Sequence, residues 1–367
     1  NVGEIAYSET GNQPKSIAKL AKEKGMKVGI ISTAPMNHAT PASFYANQPT
    51  RKNYYQIGLQ LSESNFDFFG GGGLLKQTGN KKDEKDLMTI YQESGYLTFT
   101  SLKAIASMKS HNNKVIFTNE TLDRDASIPY KIDREDAPNN SLAEIVETAI
   151  VHLDNPKGFF MMVEGGKIDY AAHDNDAGSI IGEMEDFDNA IAEAYKFYLQ
   201  HKNETMIIIT ADHETGGISL GIADNGYESD FGILSKQKMS MSKFGTIIKK
   251  QTKNEDNVSL KEYTDLASKY FMGIEMDFSA DEQAILNEAY AAINAKSNRA
   301  KDEAKSKYNG NNPMAYAFCQ IMNRRASVGF TTNAHTCAKV PVYAVGTTTP
   351  ILDNTEIFGV IKSFIEK

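Results

Sequence analysis

Six apolar runs of four to six residues punctuate this 367-residue chain, and each ends in glycines or in a polar cluster. They are Lys27–Ser32, Phe66–Phe69, Lys114–Thr118, Gly158–Val163, Met206–Thr210 and Val340–Val345. Runs this short and uniformly apolar, bounded by turn residues, suit strands buried on both faces, which occur where helices cover both sides of a parallel sheet. Helical patterns stand between them. Pro14 to Lys24 reads as a helix stopped by Gly25, and Asp86 to Glu93 as another. Ser141 and Glu144 form a capping box that opens a helix to about His152. Ile180, Met184, Phe187, Ile191, Ala194 and Tyr198 recur at steps of three and four, an apolar stripe expected to face the core. Glu356 to Glu366 reads as a closing helix. The expected fold class is α/β, a sandwich around a largely parallel sheet.

The alternation stops between about Gly217 and Phe330, where the chain is more polar. Ser279 and Glu282 make a further capping box, opening a helix through Ile285, Tyr290 and Ile293, and Asn312–Pro313 reads as the cap and first turn of another. We read 218–329 as an inserted helical subdomain or lid, and 1–217 with 330–367 as the α/β domain. A surface elaboration without a role is the plainer alternative, because long insertions cost little. A net charge of -8 argues against a nucleic-acid partner, which needs a basic surface. No run nears the ~18 apolar residues that span a bilayer. The opening NVGEIAYSETGN lacks the basic and apolar regions of a signal peptide, so the protein is expected to be cytosolic, or exported with its signal already removed. Two cysteines, Cys319 and Cys337, allow one bridge and no zinc-type spacing, so any metal is held by His and carboxylates.

The chemistry-bearing residues gather where apolar runs end, which is where ligands bind in open α/β sheets. After Val163 comes Glu164, then Asp169 and His173, four apart and so on one side of a helical turn, a pairing suited to a metal ion or to a plain surface pair. After the run ending at Thr210 come Asp212, His213 and Glu214, with Thr210 and Glu214 placed to brace the other two. His335 precedes the last run and gains interest from the two clusters that await another nitrogen ligand. His111, His152 and His201 carry no such context. After Ser32 come His38 and Thr40, with Arg51 beyond. Thr40 offers a hard hydroxyl suited to magnesium, and Arg51 a planar fork suited to two phosphate oxygens. Gly70–Gly73 lacks the Lys-Ser/Thr of a phosphate loop and reads as a structural turn.

In order and as a set, HATPASFYAN, VEGGKIDYAAH, TADHETGG and the AHT before VPVYA resemble the alkaline phosphatase family over most of the chain outside the insertion. The resemblance implies a three-layer α/β/α sandwich, hydrolysis of small phosphate monoesters through a phosphoserine, two Zn2+ and one Mg2+, a homodimer, and a periplasmic or secreted location. Carried over by position, it implies Asp169, His173 and His335 as ligands of the first zinc and Asp212 and His213 as ligands of the second. It further implies Thr40 and Glu164 as magnesium ligands and Arg51 as the phosphate clamp. His38 falls where some relatives have Asp and others His, close to the magnesium site, and Tyr170 where some have Lys and others His, at a place of water-mediated phosphate contacts, so the resemblance implies both as substrate-binding residues. The family's Asp-Ser-Ala element, which carries the nucleophile ahead of the segment matching Asn1–Gly11, does not occur in this sequence, nor does the earlier metal-bridging Asp. The chain is expected to begin inside its gene product and to be inactive as it stands. The alternatives are a pseudoenzyme or metal-binding fragment without catalysis, and a phosphodiesterase or phosphomutase of the same superfamily. Arg51 with Thr40 favours monoesters among these.

Overall fold

In a computed structural model, residues 4–6, 13–134, 140–253, 258–347 and 349–366 are described. Strands β1 (Lys27–Ser32), β2 (Phe68–Gly71), β3 (Tyr96–Phe99), β4 (Lys114–Thr118) and β5 (Phe159–Glu164) form one sheet in the order β3-β4-β2-β1-β5, with every pairing parallel. The register puts Ser32 beside both Gly71 and Glu164, so the carboxyl ends of β2, β1 and β5 finish level. Everything that follows them emerges at one edge. This is the α/β sandwich expected from the apolar runs, but the edge strand β3, whose Leu97 is exposed, had no counterpart in the pattern, and the runs Met206–Thr210 and Val340–Val345 pair with each other outside this sheet rather than within it.

Side-chain alternation on these strands builds a core on each face. Val28, Ile30, Phe69 and Ile116 pack on one side with Leu61, Tyr91 and Tyr96. Ile31, Phe68, Val115 and Phe117 pack on the other with Ile145, Val146 and Leu153 of the helix Leu142–Leu153. Each such buried side chain stabilises the fold by about 1.5–3 kcal/mol. The capping box of that helix is present, Ser141 and Glu144 each bonding the other's backbone. Gly71 and Gly72 pass close under β1. A Cβ on Gly71 would lie 1.9 Å from the Ser32 carbonyl oxygen, and Gly71 has φ +125°, which only glycine adopts readily. The Gly72 and Gly73 amides donate to the Ser32 and Ala126 carbonyls, so this glycine run is a turn whose donors are spent within the fold.

Beyond β5 the chain forms shorter pairings: β6 (Ile207–Ile209), β7 (Glu214–Thr215), β8 (Ser219–Leu220), β9 (Val328–Gly329), β10 (His335–Thr336) and β11 (Tyr343–Val345). They pair antiparallel as β6 with β11, β7 with β10 and β8 with β9. Between β8 and β9 lie the helices Met241–Gln251, Leu260–Ala267, Ala280–Ile293, Asn298–Lys307 and Pro313–Arg325, around a core of Phe244, Phe271, Met314 and Phe318. Asp176 ties this region to the α/β part, accepting from Gln237 Nε2 at 2.7 Å and from the Met241 amide at 2.7 Å.

The long helix Ala177–Gln200 departs from expectation. Its most buried line is Ser179, Glu183, Asp186 and Ala190, whereas Met184 in the apolar stripe is 49 % exposed. The reason is charge pairing from a distant segment. Arg134 Nη2 lies 2.7 Å from Asp186 and 3.6 Å from Glu183, and the Lys131 amide donates to Glu183 at 2.6 Å. Apolar periodicity registers neither partner. Cys319 and Cys337 are both free thiols, the first buried and the second exposed. No helix among the described residues is long and apolar enough to cross a membrane.

Candidate metal centre

The helix Gly166–His173 starts directly after β5 and carries Asp169 and His173 one turn apart. Asp169 Oδ1 is 3.4 Å from His173 Nε2 and 3.8 Å from His335 Nε2. The β7–β10 pairing sets His335 opposite Thr215, so the neighbouring His213 ring stacks on His335 with centroids 3.5 Å apart. One ligand atom from each of Asp169, His213 and His335 falls within 4.8 Å of the others, a group able to hold a metal ion. The His173 ring lies 5.1 Å from that of His335.

Hydrogen bonds decide which nitrogen each imidazole offers. His173 Nδ1 is 2.6 Å from the Asn333 carbonyl oxygen, which only accepts, so Nδ1 carries a hydrogen and the neutral ring presents the Nε2 lone pair toward Asp169. Thr215 Oγ1 donates to Asp169 Oδ1 at 2.7 Å and lies 3.2 Å from His213 Nδ1. Its one hydrogen is spent on the carboxylate, so His213 Nδ1 donates to it and the neutral ring offers its lone pair at Nε2. Asp212 Oδ2 stands 3.4 Å from that Nε2, on a side chain 67 % exposed. Burial and the adjacent His213 hold the His335 pKa below its ordinary value, which keeps the ring in the neutral form a metal requires. Imidazole and carboxylate donors so arranged are the set that zinc prefers.

Glu164, at the end of β5, is half-buried, and its removal from water pushes its carboxyl up to about 7. Hydrogen bonds from Ser32 and Thr40 oppose that shift, while Asp212 and Asp169 add to it. A half-buried carboxylate crowded by other acids and bonded by hydroxyls offers hard oxygen donors to a divalent cation, whose charge would offset the cost of its removal from water.

Beside these acids Arg51 Nη2 approaches His38 Nε2 to 2.9 Å. Burial and the Arg51 charge hold His38 down to about 4, so the ring is neutral and Nε2 accepts from the guanidinium. His38 meets the Tyr170 ring edge-on at 5.8 Å. Burial, then the charge of Asp125, pushes the Tyr170 hydroxyl up.

The family model for alkaline phosphatase matches residues 1–366. The chain belongs to the alkaline phosphatase family. Alkaline phosphatase 3 of Bacillus subtilis (strain 168) is 33 % identical over 370 residues, covering 96 % of this chain and 71 % of the relative. Alkaline phosphatase 4 of the same strain is 31 % identical, covering 93 % and 67 %. The solved structure of a cold-active alkaline phosphatase from the psychrophile Shewanella sp. superposes with a TM-score of 0.76 at 28 % identity, over 100 % of this chain and 82 % of that one. A variant of the TAB5 alkaline phosphatase, solved with Mg bound, gives a TM-score of 0.63 at 25 % identity over 99 % and 79 %. Family membership makes this chain part of a group of phosphate ester hydrolases related to metal-binding structures.

Within this alkaline phosphatase fold, Asp169, His173, His213 and His335 come together, and Asp212 borders them. Glu164 and Thr40 form a second group, and Arg51, His38 and Tyr170 a third. Glu214 braces a turn, accepting from the Gly217 amide at 2.9 Å and from the Thr336 hydroxyl, while Thr210 donates to the Pro341 carbonyl at 3.1 Å. His152 is buried against Phe68 and bonds the Asn113 carbonyl at 2.9 Å, and His201 stacks on Phe197, both structural uses. Thr215, Asn333 and Ser32 orient the candidate ligands and were not singled out from sequence. A hydroxyl two residues past a ligand histidine is a usable signal for Thr215. Asn333 and Ser32 act across the fold and leave no local mark.

Proposed function

We propose that this chain carries the metal and phosphate sites of a zinc- and magnesium-dependent phosphomonoesterase. The observation that carries the reading is the cluster of Asp169, His213 and His335, with the His173 ring against both Asp169 and His335, close to a half-buried Glu164 with hydroxyl partners. Asp169, His173 and His335 would hold the first zinc, Asp212 and His213 the second, and Thr40 with Glu164 the magnesium. Bound there, the ions supply Lewis acidity toward oxygen and counter-charge for a phosphoryl group. The chain's own residues do the rest. Arg51 grips two phosphate oxygens through its fork, and neutral His38 keeps that fork aimed by accepting one of its hydrogens. Tyr170 walls the site on the His38 side. Thr215 and Asn333 fix the orientation of the two histidine rings, so that each neutral ring turns Nε2 toward the proposed ions.

Hydrolysis through a phosphoserine needs a serine hydroxyl in line with the leaving group. Ser32 is committed to Glu164, and Thr33 accepts from the Lys167 amide at 3.0 Å, so the hydroxyls that end β1 are engaged in holding the fold. The sequence holds no Asp-Ser-Ala element, and the proposed nucleophile is a serine from outside residues 1–367. The protein is further proposed to be an exported homodimer that acts on small phosphate esters, with 218–329 as an inserted subdomain. The test is aryl phosphate hydrolysis by zinc- and magnesium-loaded 1–367 beside a version extended upstream. We expect near-background turnover from the first, a gain of order 10⁴-fold or more in the second, and loss of that gain on chelation. Rates of about 1–10³ s⁻¹ from 1–367 alone, or full activity without metal, would overturn the reading.

A further inference from the structure

Lys167 lies inside the protein at 2 % exposure, although nothing in the mechanism above uses it. A buried ammonium is rare and needs a partner. Its Nζ lies 2.6 Å from Asp123 Oδ2, 3.8 Å from the centre of the Tyr130 ring and 5.7 Å from the centre of the Tyr170 ring. Asp123 sits on a turn pinned from several sides. Its amide takes the Ser127 carbonyl, and the Ile128 amide takes the Thr33 carbonyl. The Lys167 amide itself donates to Thr33 Oγ1 at 3.0 Å. Both ends of the lysine are thus fixed to the loops that rim the strand ends.

The contacts continue from there toward the phosphate-gripping group. Tyr170 follows Lys167 by three residues on the same helix, so both side chains project from one face. The Tyr170 ring has the ammonium on one side and the edge-on His38 ring on another, and His38 Nε2 holds Arg51 Nη2 at 2.9 Å. An apolar side chain of similar length would fill the same space without the burial penalty of a charge. What it would not supply is an attraction that holds an aromatic face in one place.

We propose that Lys167, anchored by Asp123, is a positioning residue that orients Arg51 by holding Tyr170 against His38. The proposal rests on Arg51 being the phosphate ligand only for its functional consequence; the orientation itself is a property of the fold.

Lys167→Met, Lys167→Arg and Asp123→Asn test it in the full metal-loaded chain, with two readouts. Crystal structures report whether Arg51 Nη2 remains on His38 Nε2. Calorimetric titration with inorganic phosphate reports affinity, and zinc content is measured beside it. Lys167→Met should release the Arg51–His38 contact and weaken phosphate binding about 3- to 30-fold, the span of a desolvated cation–π contact, at unchanged zinc content. Asp123→Asn should do the same more weakly, and Lys167→Arg should restore both. Arg51 still on His38 in Lys167→Met, or weakened binding that Lys167→Arg does not rescue, overturns the proposal. If Lys167→Met does not fold, the Asp123→Asn structure decides, and an unmoved Arg51 there overturns it as well. A wild-type chain that binds no phosphate would defeat the reading of Arg51 as phosphate ligand, and the crystallographic comparison would still decide the role of Lys167.

Discussion

Replacing Thr215 by valine removes one hydroxyl at nearly constant volume. That hydroxyl donates to Asp169 Oδ1 at 2.7 Å and takes the hydrogen of His213 Nδ1 at 3.2 Å, so it orients a carboxylate and an imidazole together. Valine leaves His213 Nδ1 without an acceptor. The ring is then free to turn, or to carry its hydrogen on Nε2, where it blocks coordination. Two hydrogen bonds, one of them to a charged group, are worth about 2–4 kcal/mol together. A bound ion restores part of that order, so the loss felt in metal binding should fall near the ~10–100-fold range for partners that orient ligands, about 1.4–2.7 kcal/mol. Zinc affinity is measured by competition with a chromophoric chelator at fixed pH, and thermal unfolding of the metal-free proteins checks that the fold survives. Thr215→Ser keeps the hydroxyl and should bind zinc within about threefold of wild type, a shift under 1 kcal/mol. Wild-type zinc affinity in a folded Thr215→Val chain would refute both the tautomer assignment and the role of the pair in binding.

Arg51→Ala should weaken phosphate binding by about 1–3 kcal/mol, the worth of charge-assisted hydrogen bonds, with zinc content unchanged; equal affinities by calorimetry would place Arg51 outside the site. Glu183 is pushed up to about 7 from an ordinary 4.5, first by burial, with Arg134 opposing. An acid whose folded pKa is raised contributes stability below the unfolded value and loses it as pH climbs through the folded one, so wild-type stability should decline between about pH 4.5 and 7, by at most about 3 kcal/mol from this group. Denaturant unfolding should show a shallower decline in Glu183→Gln, and parallel curves would contradict the assignment. Alanine at any acidic residue within 218–329 should leave zinc and magnesium stoichiometry intact by atomic absorption, because the candidate metal cluster among the described residues draws on none of them.

The sheet and its ligand clusters were legible in sequence because both are local. A buried parallel strand needs a short apolar run, and all five strands of the main sheet except the edge strand β3 announced themselves that way. Asp169 and His173 share a helical turn, and Asp212 and His213 are adjacent, so spacing alone made them candidates. How the clusters meet was decided by pairing across the chain. The register of Ser32 with Glu164 brings the short helix Ala39–Ala42, with Thr40, to the end of β5, and the two-residue pairing of β7 with β10 lays His335 on His213 from 122 residues away, as 335 less 213. Neither pairing leaves a periodic trace, because a two-residue strand has no pattern to read. The same limit hid the charged side of Ala177–Gln200, where Glu183 and Asp186 are tolerable inside only because Arg134 reaches them, and it hid Lys167. Side-chain chemistry along a chain says which residues can hold an ion or a phosphate. Only the fold says which of them stand close enough to do it together, since coordination and hydrogen bonds form only at contact distances of about 2–3 Å.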